Sequence, residues 1–322
     1  MKTLIVFAAV ILAASALSLH EQWGNFKVKH GKVYKNIAEE IVRFEIFQQN
    51  LKTIEEHNAK YEAGLSGFWM GVNKFSDMTS DEFQAMMNKQ IASKPKFEGE
   101  LHVQENVSVP SGVDWRKEGA VLEVKDQGEC GSCWAFSTTG ALEGQNAIKN
   151  GKKISLSEQQ LLDCSGSYGN GDCDTGGSME AAFKYVKDNG IESEEDYPYQ
   201  ETQLRCKASS DKTVLTISQF SNVEPSTESL RQAVGSIGPI SVAIYAGYSL
   251  QHYQGGILDD SCNGQLNHGV LAVGYGESPQ PYWIVKNSWG QDWGEEGFFR
   301  LARRDNLCGI SDDASYPDVL YN

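Results

Sequence analysis

The fold is decided by the stretch Gln127-Gly-Glu-Cys130-Gly-Ser-Cys133-Trp-Ala-Phe136. It sets two cysteines in front of an apolar run, with Ser132 placed to cap a helix that continues to Gly151. A thiol at a helix N-terminus feels the positive end of the helix dipole, and this stabilises its thiolate. Cys133 is therefore a candidate nucleophile.

A nucleophilic thiol needs a base, and the base needs a group that fixes its tautomer. Of the six histidines, only His252 and His268 fall among the strand-like segments of the C-terminal part. His268 directly precedes one such segment, and Asn287 follows the next. An Asn287 side-chain oxygen can accept a hydrogen bond from the imidazole, and Trp289 would shield that bond from water.

The surrounding pattern predicts an α+β protein with two lobes. Three helices are expected, over 132–151, after a capping box at Ser157-Glu-Gln-Gln160, and from Met179 to Asn189 with Gly190 as its end. Beyond about residue 212 the pattern favours strands, at 240–245, 270–274, 282–285 and 298–301. A substrate cleft is expected between the helical and the strand-rich lobes.

The N-terminal third of the chain has a different sequence pattern. Residues 1–16 combine a basic start, a short apolar run and small residues, which is typical of a secretory signal peptide. A long amphipathic helix is predicted from Ile37 to Tyr61, with a shorter one upstream around Trp23 and Phe26. Residues 88–108 lose this periodicity and are predicted as a linker, which holds the glycosylation sequon at Asn106.

The cysteine count and the net charge limit the compartment and the binding partners of the protein. Export implies an oxidising compartment, where six of the seven cysteines can pair in any of fifteen ways and one is left over. The net charge is −15, and residues 109–322 alone hold 16 Lys/Arg against 30 Asp/Glu. Such a surface argues against nucleic acid and anionic membrane as partners. It would lose self-repulsion in a lysosome or an acidic gut, although solubility alone also explains it.

The segments Cys130-Gly-Ser-Cys133-Trp, Asn267-His268-Gly and Lys286-Asn287-Ser-Trp-Gly resemble the papain family of cysteine peptidases, cathepsin L branch, over nearly the whole chain. The resemblance implies a papain-like two-lobe fold, helical lobe plus β-barrel-like lobe, preceded by a helical inhibitory prodomain. It divides the chain into a signal peptide (1–16), an inhibitory propeptide (17–108) and a mature peptidase (109–322). Gln127 would donate, with the Cys133 backbone N–H, to the oxyanion.

The prosegment carries two motifs of that branch. They are Glu39, Arg43, Phe47, Asn50, Ile54 and Asn58, and then Gly71, Asn73, Phe75 and Asp77. Glu39 and Arg43 are predicted to pair along one helix. The precursor is expected to be latent at neutral pH and to mature by cleavage near 106–109, because acid protonates carboxylates such as Asp77 that tie prosegment to enzyme.

The resemblance also implies three disulfides, Cys130–Cys173, Cys164–Cys206 and Cys262–Cys308, which leave Cys133 outside them. It further implies an endopeptidase of protein and peptide substrates, inhibited by its own propeptide, monomeric, secreted or lysosomal. Neither a cofactor nor a metal is expected, and neither nucleic acid nor membrane as partner. The resemblance places Gly176, Gly177, Met179, Ala243, Leu266, Asn267, Trp289 and Asp313 at the substrate. Of these, Gly177, Met179, Ala243, Leu266 and Asn267 would form the walls of the main specificity pocket, and Asp313 its floor.

A carboxylate at Asp313 predicts that this pocket accepts basic as well as bulky apolar residues, unless Asp312 or Asp313 points to solvent. The run Cys173-Asp-Thr-Gly176-Gly177 is one residue longer than the family's usual form, so the cleft rim is expected to differ. The sequence also suggests two rival functions. Cys130-Gly-Ser-Cys133 is also a redox-type C-x-x-C but lacks a βαβ context, and an inert storage or inhibitor protein would have lost Cys133 or His268. Zinc binding lacks paired ligand spacing.

Overall fold

The computed structural model describes residues 18–87, 91, 100–102, 108–260, 262 and 264–320. The predicted signal peptide, the Asn106 sequon and most of the predicted linker lie outside these residues. Within the described ranges, no helix is both long enough and apolar enough to cross a membrane.

The prosegment is built on two crossing helices. Helix α1 (Leu19–Lys29) begins at a capping box formed by Ser18 and Glu21, and α2 (Ile37–Glu62) matches the long helix predicted from sequence. Between them lies a small aromatic core of their own, made by Trp23, Phe26, Phe47 and Leu51. A short helix, α3 (Ser80–Ala85), follows after a strand, β1 (Phe68–Met70).

The helical lobe contains α4 (Cys133–Asn150), α5 (Glu158–Cys164) and α6 (Met179–Asn189), as the sequence predicts. Gly151 ends α4 in the left-handed conformation, at φ 64°. Two capping expectations are wrong. Ser132 makes no capping hydrogen bond with its side chain. Ser157 caps α5, but the Gln160 side chain donates to Tyr185 and accepts from the Glu192 backbone instead of returning to Ser157.

The other lobe is a single large sheet with two flanking helices, α7 (Thr227–Ser236) and α8 (Tyr248–Gln251). Its enzyme strands are β3 (Val113–Asp114), β6 (Ile217–Val223), β7 (Ile240–Ile244), β8 (Tyr253–Leu258), β9 (His268–Gly276), β10 (Tyr282–Lys286), β11 (Phe298–Ala302) and β12 (Ala314–Val319). The predicted strands correspond to β7, β9, β10 and β11, whereas β6, β8 and β12 were not predicted. A separate small sheet pairs β4 (Ile191–Glu192) with β5 (Thr213–Leu215).

The prosegment supplies a strand at each end of the large sheet. The order is β1-β8-β11-β10-β9-β7-β12-β6-β2, with β3 paired to β9 and β2 formed by Glu100–His102. Strand β1 pairs antiparallel with β8, and β2 pairs parallel with β6. Part of the predicted linker is therefore a strand. Because an unpaired edge exposes backbone donors and acceptors, these two N-terminal strands satisfy groups that the sheet would otherwise present to solvent.

Three disulfides fix the two lobes as the resemblance implied. Cys130–Cys173 and Cys164–Cys206 lie in the helical lobe, and Cys262–Cys308 lies in the strand lobe. Cys133 takes part in none of them. The structure therefore also rules out a Cys130–Cys133 redox disulfide in this state, and with it the observation that would have favoured an oxidoreductase.

Candidate active site

Cys133 is the first residue of α4, and its side chain is fully buried in the precursor. Gly269, at the start of β9, donates its backbone N–H to Cys133 Sγ at 3.3 Å. A Cβ on Gly269 would stand 3.1 Å from the Trp134 backbone nitrogen, so any larger residue would push the strand and the helix apart by a few tenths of an ångström. The two lobes thus meet at the candidate nucleophile.

His268 and Asn287 are brought together by sheet pairing. Strand β9 begins at His268, and its antiparallel neighbour β10 ends at Lys286, one residue before Asn287. His268 Nε2 lies 2.8 Å from Asn287 Oδ1, which also accepts the Ser288 backbone N–H at 2.9 Å. Since that oxygen only accepts, Nε2 carries the proton and Nδ1 keeps a lone pair.

The imidazole is held in a dry environment. The Trp289 ring stacks on His268 with centroids 4.7 Å apart, and His268 Nδ1 is buried with no hydrogen-bond partner among the described residues. Burial lowers the pKa of His268 to about 4, although the hydrogen bond with Asn287 opposes this shift. In the precursor the ring is therefore neutral near pH 7.

Gln127 lies beside this pair and is anchored at three points. Its Nε2 donates to the Cys130 carbonyl at 2.9 Å, and its Oε1 accepts from Ser288 Oγ at 2.6 Å. Its backbone N–H donates to the Ser288 carbonyl at 2.8 Å. An amide nitrogen carries two hydrogens, so the second N–H of Gln127 remains available for a ligand oxygen.

Comparison with known proteins agrees with this geometry. Residues 109–318 match the papain family cysteine protease model, and residues 23–83 match the cathepsin propeptide inhibitor domain (I29). The chain belongs to the papain family of cysteine proteases. Its curated relatives include a cathepsin L-like proteinase of Phaedon cochleariae, 50% identical with 98% of this chain and 99% of the relative covered. Digestive cysteine proteinase 3 of Homarus americanus is 45% identical, with 97% and 99% covered.

A solved structure extends the comparison to the fold. Digestive procathepsin L 3 of the Tenebrio molitor larval midgut superposes with a TM-score of 0.87 at 47% identity, covering 94% of this chain and 100% of the other. The α+β class and the papain-like fold with a helical propeptide, both expected from sequence, are thereby confirmed. This chain is a cathepsin L-like cysteine protease in its precursor form.

Three of the expected specificity-pocket residues pack in the same core cluster as Cys133, and they are Met179, Ala243 and Leu266. Met179 begins α6, Ala243 lies in β7, and both are fully buried in the cluster that contains Cys133. Leu266 and Asn267 precede β9 and are half-buried. The Asp313 carbonyl accepts the Ala243 backbone N–H at 2.9 Å, which puts Asp313 directly beside this wall.

The two candidate pocket carboxylates differ in environment. Asp313 is half-buried, whereas Asp312 is exposed. Asn306 Nδ2 donates to Asp312 Oδ1 at 2.7 Å, so the Asp312 carboxylate is engaged on the surface side. Asp313 is therefore the less exposed of the two.

The lengthened rim loop is compact. Asp172 Oδ1 accepts the backbone N–H groups of Asp174 and Thr175 at 3.1 and 2.9 Å and the Thr175 hydroxyl at 2.8 Å. These hydrogen bonds, with that to Thr175 the largest effect, lower the pKa of Asp172. Gly176 has φ 77°, and a Cβ on Gly177 would stand 2.7 Å from the Trp134 ring. The extra residue is absorbed in a turn while Gly177 keeps its close contact.

The prosegment covers the site with aromatic and amide groups. Phe75 and Phe83 meet Trp289 edge-on, with ring centroids 5.1 and 5.5 Å apart. Gln84 accepts from Asn267 Nδ2 at 2.9 Å and donates to the Ala246 carbonyl at 2.6 Å. The prosegment therefore occupies the surface above the imidazole and the entrance to the expected pocket.

The expected roles of two prosegment residues need correction. Asp77 binds Lys32 Nζ and the Tyr34 hydroxyl, each at 2.9 Å, so its carboxylate ties the prosegment to itself and not to the enzyme. Arg43 pairs with Glu82 at 2.7 Å instead of Glu39 and also donates to the Asp77 carbonyl at 3.1 Å. The two corrections have different causes. The segment between α1 and α2 supplies Lys32 and Tyr34 to Asp77, whereas α3 packs near α2 and offers Glu82 to Arg43.

Sequence reasoning did not identify the polar cluster behind the site. Lys125 Nζ lies 2.8 Å from Glu158 Oε1 and 3.4 Å from Glu143 Oε1, beside a cavity of about 20 Å³ that Lys286 and Asn287 also line. Burial lowers the pKa of Lys125, but the carboxylates of Glu158 and Glu143 raise it by more. The pKa of Lys125 therefore lies well above its ordinary value. These charges are 15 or more residues apart along the chain, so no local pattern could reveal them.

No metal site is present in the described part of the chain, where three or more His, Cys, Asp or Glu side chains nowhere converge. Ser288, which orients Gln127, was also missed. It lies inside the Asn287-Ser-Trp motif, so its position next to two expected site residues was the available signal.

Proposed function

We propose that this chain is an endopeptidase that cleaves peptide bonds through a thioester on Cys133, and that it is made as a latent precursor. The observation that carries the proposal is the His268–Asn287 hydrogen bond at 2.8 Å, next to a thiol at the start of α4. It leaves a lone pair on His268 Nδ1, which is the group a thiol needs as its base.

In the proposed reaction His268 takes the proton from Cys133, and the thiolate attacks the scissile carbonyl carbon. The second Gln127 amide N–H and the Cys133 backbone N–H would stabilise the oxyanion. When the C–N bond breaks, the imidazolium gives its proton to the leaving amine. Water, deprotonated by His268, then hydrolyses the thioester and restores the thiol. Asn287 keeps the ring in one tautomer throughout, and Trp289 keeps water from their hydrogen bond.

Replacing Cys133 by Ser tests this chemistry. Turnover of a fluorogenic peptide should vanish while the thermal unfolding midpoint and prosegment docking stay unchanged. In the wild type, the first turnover of an activated ester should release one equivalent of leaving group before the steady state. Wild-type turnover by Cys133→Ser would end the proposal.

Latency is proposed to arise from residues 17–108, with 109–322 as the mature enzyme and processing near 106–109. Support comes from the complete burial of Cys133 and His268 beneath the prosegment and from the low pKa of His268, which favours the neutral ring and so the protonated thiol. Acid would promote release by protonating carboxylates at the boundary. The Lys74–Asp126 ion pair, at 2.6 Å, joins the prosegment to the enzyme, which the contacts of Asp77 do not.

Activation can be followed directly. The purified precursor should show no peptidase activity at pH 7 and should shorten by about the prosegment's mass as the pH is lowered. Full activity of the uncleaved precursor at pH 7 would contradict latency.

For specificity we propose that Asp313 forms the floor of the pocket for the second residue before the scissile bond, lined by Gly177, Met179, Ala243, Leu266 and Asn267. The proposal is supported by the half-buried position of Asp313 and the bond from its carbonyl to Ala243. A carboxylate there would bind Arg or Lys, and the apolar walls would still accept Leu or Phe.

Matched Arg and Leu substrates, assayed between pH 4 and 7, decide this point. The ratio of kcat/KM for Arg over Leu should fall several-fold in Asp313→Ala, and in the wild type it should decline as acid protonates the carboxylate. Asp312→Ala is the control, because its carboxylate is held by Asn306 on the surface. Equal ratios in wild type and Asp313→Ala would place Asp313 outside the pocket.

The proposed setting is the secretory pathway, with protein digestion in a gut lumen as the role. Three lobster relatives are named digestive cysteine proteinases, and two similar solved structures are digestive procathepsins of a larval midgut. The strongly acidic mature segment agrees with use at low pH. Immunolocalisation would distinguish this role from lysosomal proteolysis, since lumenal enzyme supports digestion and a purely vesicular signal contradicts it.

A further inference from the structure

A relay of two hydroxyl groups, one from the buried Ser132 and one from the half-buried Tyr199, joins the two sides of the candidate oxyanion site. The Tyr199 hydroxyl donates to the Gln127 carbonyl at 3.0 Å, and Ser132 Oγ lies 2.5 Å from the same hydroxyl. A carbonyl oxygen can only accept, so Tyr199 donates to Gln127 and Ser132 donates to Tyr199. The relay therefore runs from the residue before Cys133 to the backbone of the residue that offers its amide to the oxyanion.

The Ser132 hydroxyl takes part in this relay and does not cap its helix. A serine at this position normally accepts from the helix backbone through its side chain, but Ser132 makes no such bond. Its hydroxyl is turned toward Tyr199 instead. As a result no side chain of Ser132 occupies the N-terminus of α4, where the Cys133 backbone N–H must meet an incoming oxyanion.

Tyr199 lies in a segment that several contacts hold in place. Its ring meets Phe136 of α4 edge-on with centroids 5.0 Å apart, and its backbone N–H donates to Glu194 Oε1 at 2.8 Å. The next residue, Gln200, donates its backbone N–H to Gln159 Oε1 at 2.7 Å. Burial raises the pKa of Tyr199, so its hydroxyl stays protonated and remains a donor at any pH at which such an enzyme works.

We propose that Tyr199 is a positioning residue for the reaction, which fixes the backbone of Gln127 relative to the start of α4 and so sets the spacing of the two oxyanion donors. This inference rests on the proposed function. It does not require Tyr199 to touch substrate, and it assigns a role to a residue 66 positions from Cys133 in the chain. The transition state, in which the oxyanion forms, should be affected more than substrate binding.

The test compares two tyrosines of the same segment in the mature enzyme obtained from the full precursor. Tyr199→Phe removes the relay but keeps the ring on Phe136, and kcat should fall about tenfold while KM changes less than twofold. A direct oxyanion donor is worth about 10²–10³ in kcat, and an indirect one should be worth less. Tyr197→Phe is the control, because the Tyr197 hydroxyl donates to Asp163 at 2.8 Å, away from the site, and kcat should be unchanged.

A second arm separates positioning from a general structural role. In a Gln127→Ala background, adding Tyr199→Phe should lower kcat less than twofold, because the donor it positions is gone. Ser132→Ala offers the same test without altering the tyrosine, should the Phe variant fold poorly, and should lower kcat only while Gln127 is present. An equal loss in both backgrounds, or an unchanged kcat in Tyr199→Phe, overturns the inference. If Gln127→Ala itself leaves kcat unchanged, the proposed oxyanion role fails instead.

Discussion

Removing one aromatic ring should open the precursor. Phe75 is 3% exposed and packs with Phe83 against Trp289, within the core of the strand lobe. Truncation of a buried Phe to Ala costs about 3–5 kcal/mol. Because Phe75 contacts the enzyme and is not part of the prosegment's own aromatic core, most of this loss should weaken docking and not prosegment folding.

The lost docking free energy should increase the fraction of precursor whose site is uncovered. Each 1.4 kcal/mol is about a factor of ten, so the fraction of precursor with an uncovered site should rise by roughly two to four orders of magnitude in Phe75→Ala. A thiol-directed epoxide can reach Cys133 only in that fraction. The labelling rate of intact precursor at pH 7, followed by mass spectrometry, should rise accordingly, up to the rate of the mature enzyme.

Two further variants make the result specific. Val33 lies between α1 and α2 and is 91% exposed, so Val33→Ala should label at the wild-type rate. Phe47→Ala should also speed labelling, but with loss of helical signal from the prosegment, since Phe47 belongs to its core. If Phe75→Ala precursor remains folded and labels no faster than wild type, aromatic cover of Trp289 is not what closes the site.

Two other predictions concern the buried His252 and the close contact at Gly177. His252 is fully buried, and desolvation lowers its pKa to about 4. Unfolding exposes the ring, which then binds a proton more readily. The free energy of unfolding should therefore fall as pH drops from 6.5 toward 4, by at most about 3 kcal/mol. The test compares the Cys133→Ser protein with the same protein carrying His252→Phe. The urea midpoint should fall between pH 7 and pH 4.5 in both, but less in the His252→Phe protein. An identical pH dependence would contradict the assignment. In Gly177→Ala, the new Cβ would stand 2.7 Å from Trp134 and 2.5 Å from Asn170 Oδ1, so the rim must shift and KM for peptide substrates should rise several-fold, while an unchanged KM would show that the rim does not contact substrate.

The sequence predicts well those features that short-range patterns determine. Helix α2 follows from apolar residues recurring every three or four positions, and α6 from the same period with a glycine at its end. His268 and Asn287 could be placed together because each flanks a recognisable strand and the strands pair as neighbours. In these cases the local preference and the tertiary structure agree.

Features decided by distant partners could not be read in this way. Strands β6 and β12 pair with each other and form part of the core, but neither shows strict alternation, since four successive residues of each are buried. Ser132 had the right type and position for a cap, yet a tyrosine 67 residues away takes its hydroxyl. A polar side chain chooses among all donors and acceptors that folding brings near, and the chain order does not contain that choice.

Latency and catalysis draw on the same groups, and this limits how the precursor can open. Trp289 shields the His268–Asn287 bond from water, and the same ring is the surface on which Phe75 and Phe83 dock. Weakening Trp289 to release the prosegment would therefore also expose the imidazole. Contacts that do not involve Trp289 are free of this conflict, and they include the paired edges β1–β8 and β2–β6. Release of the prosegment should accordingly begin at these edges and reach the aromatic cover last.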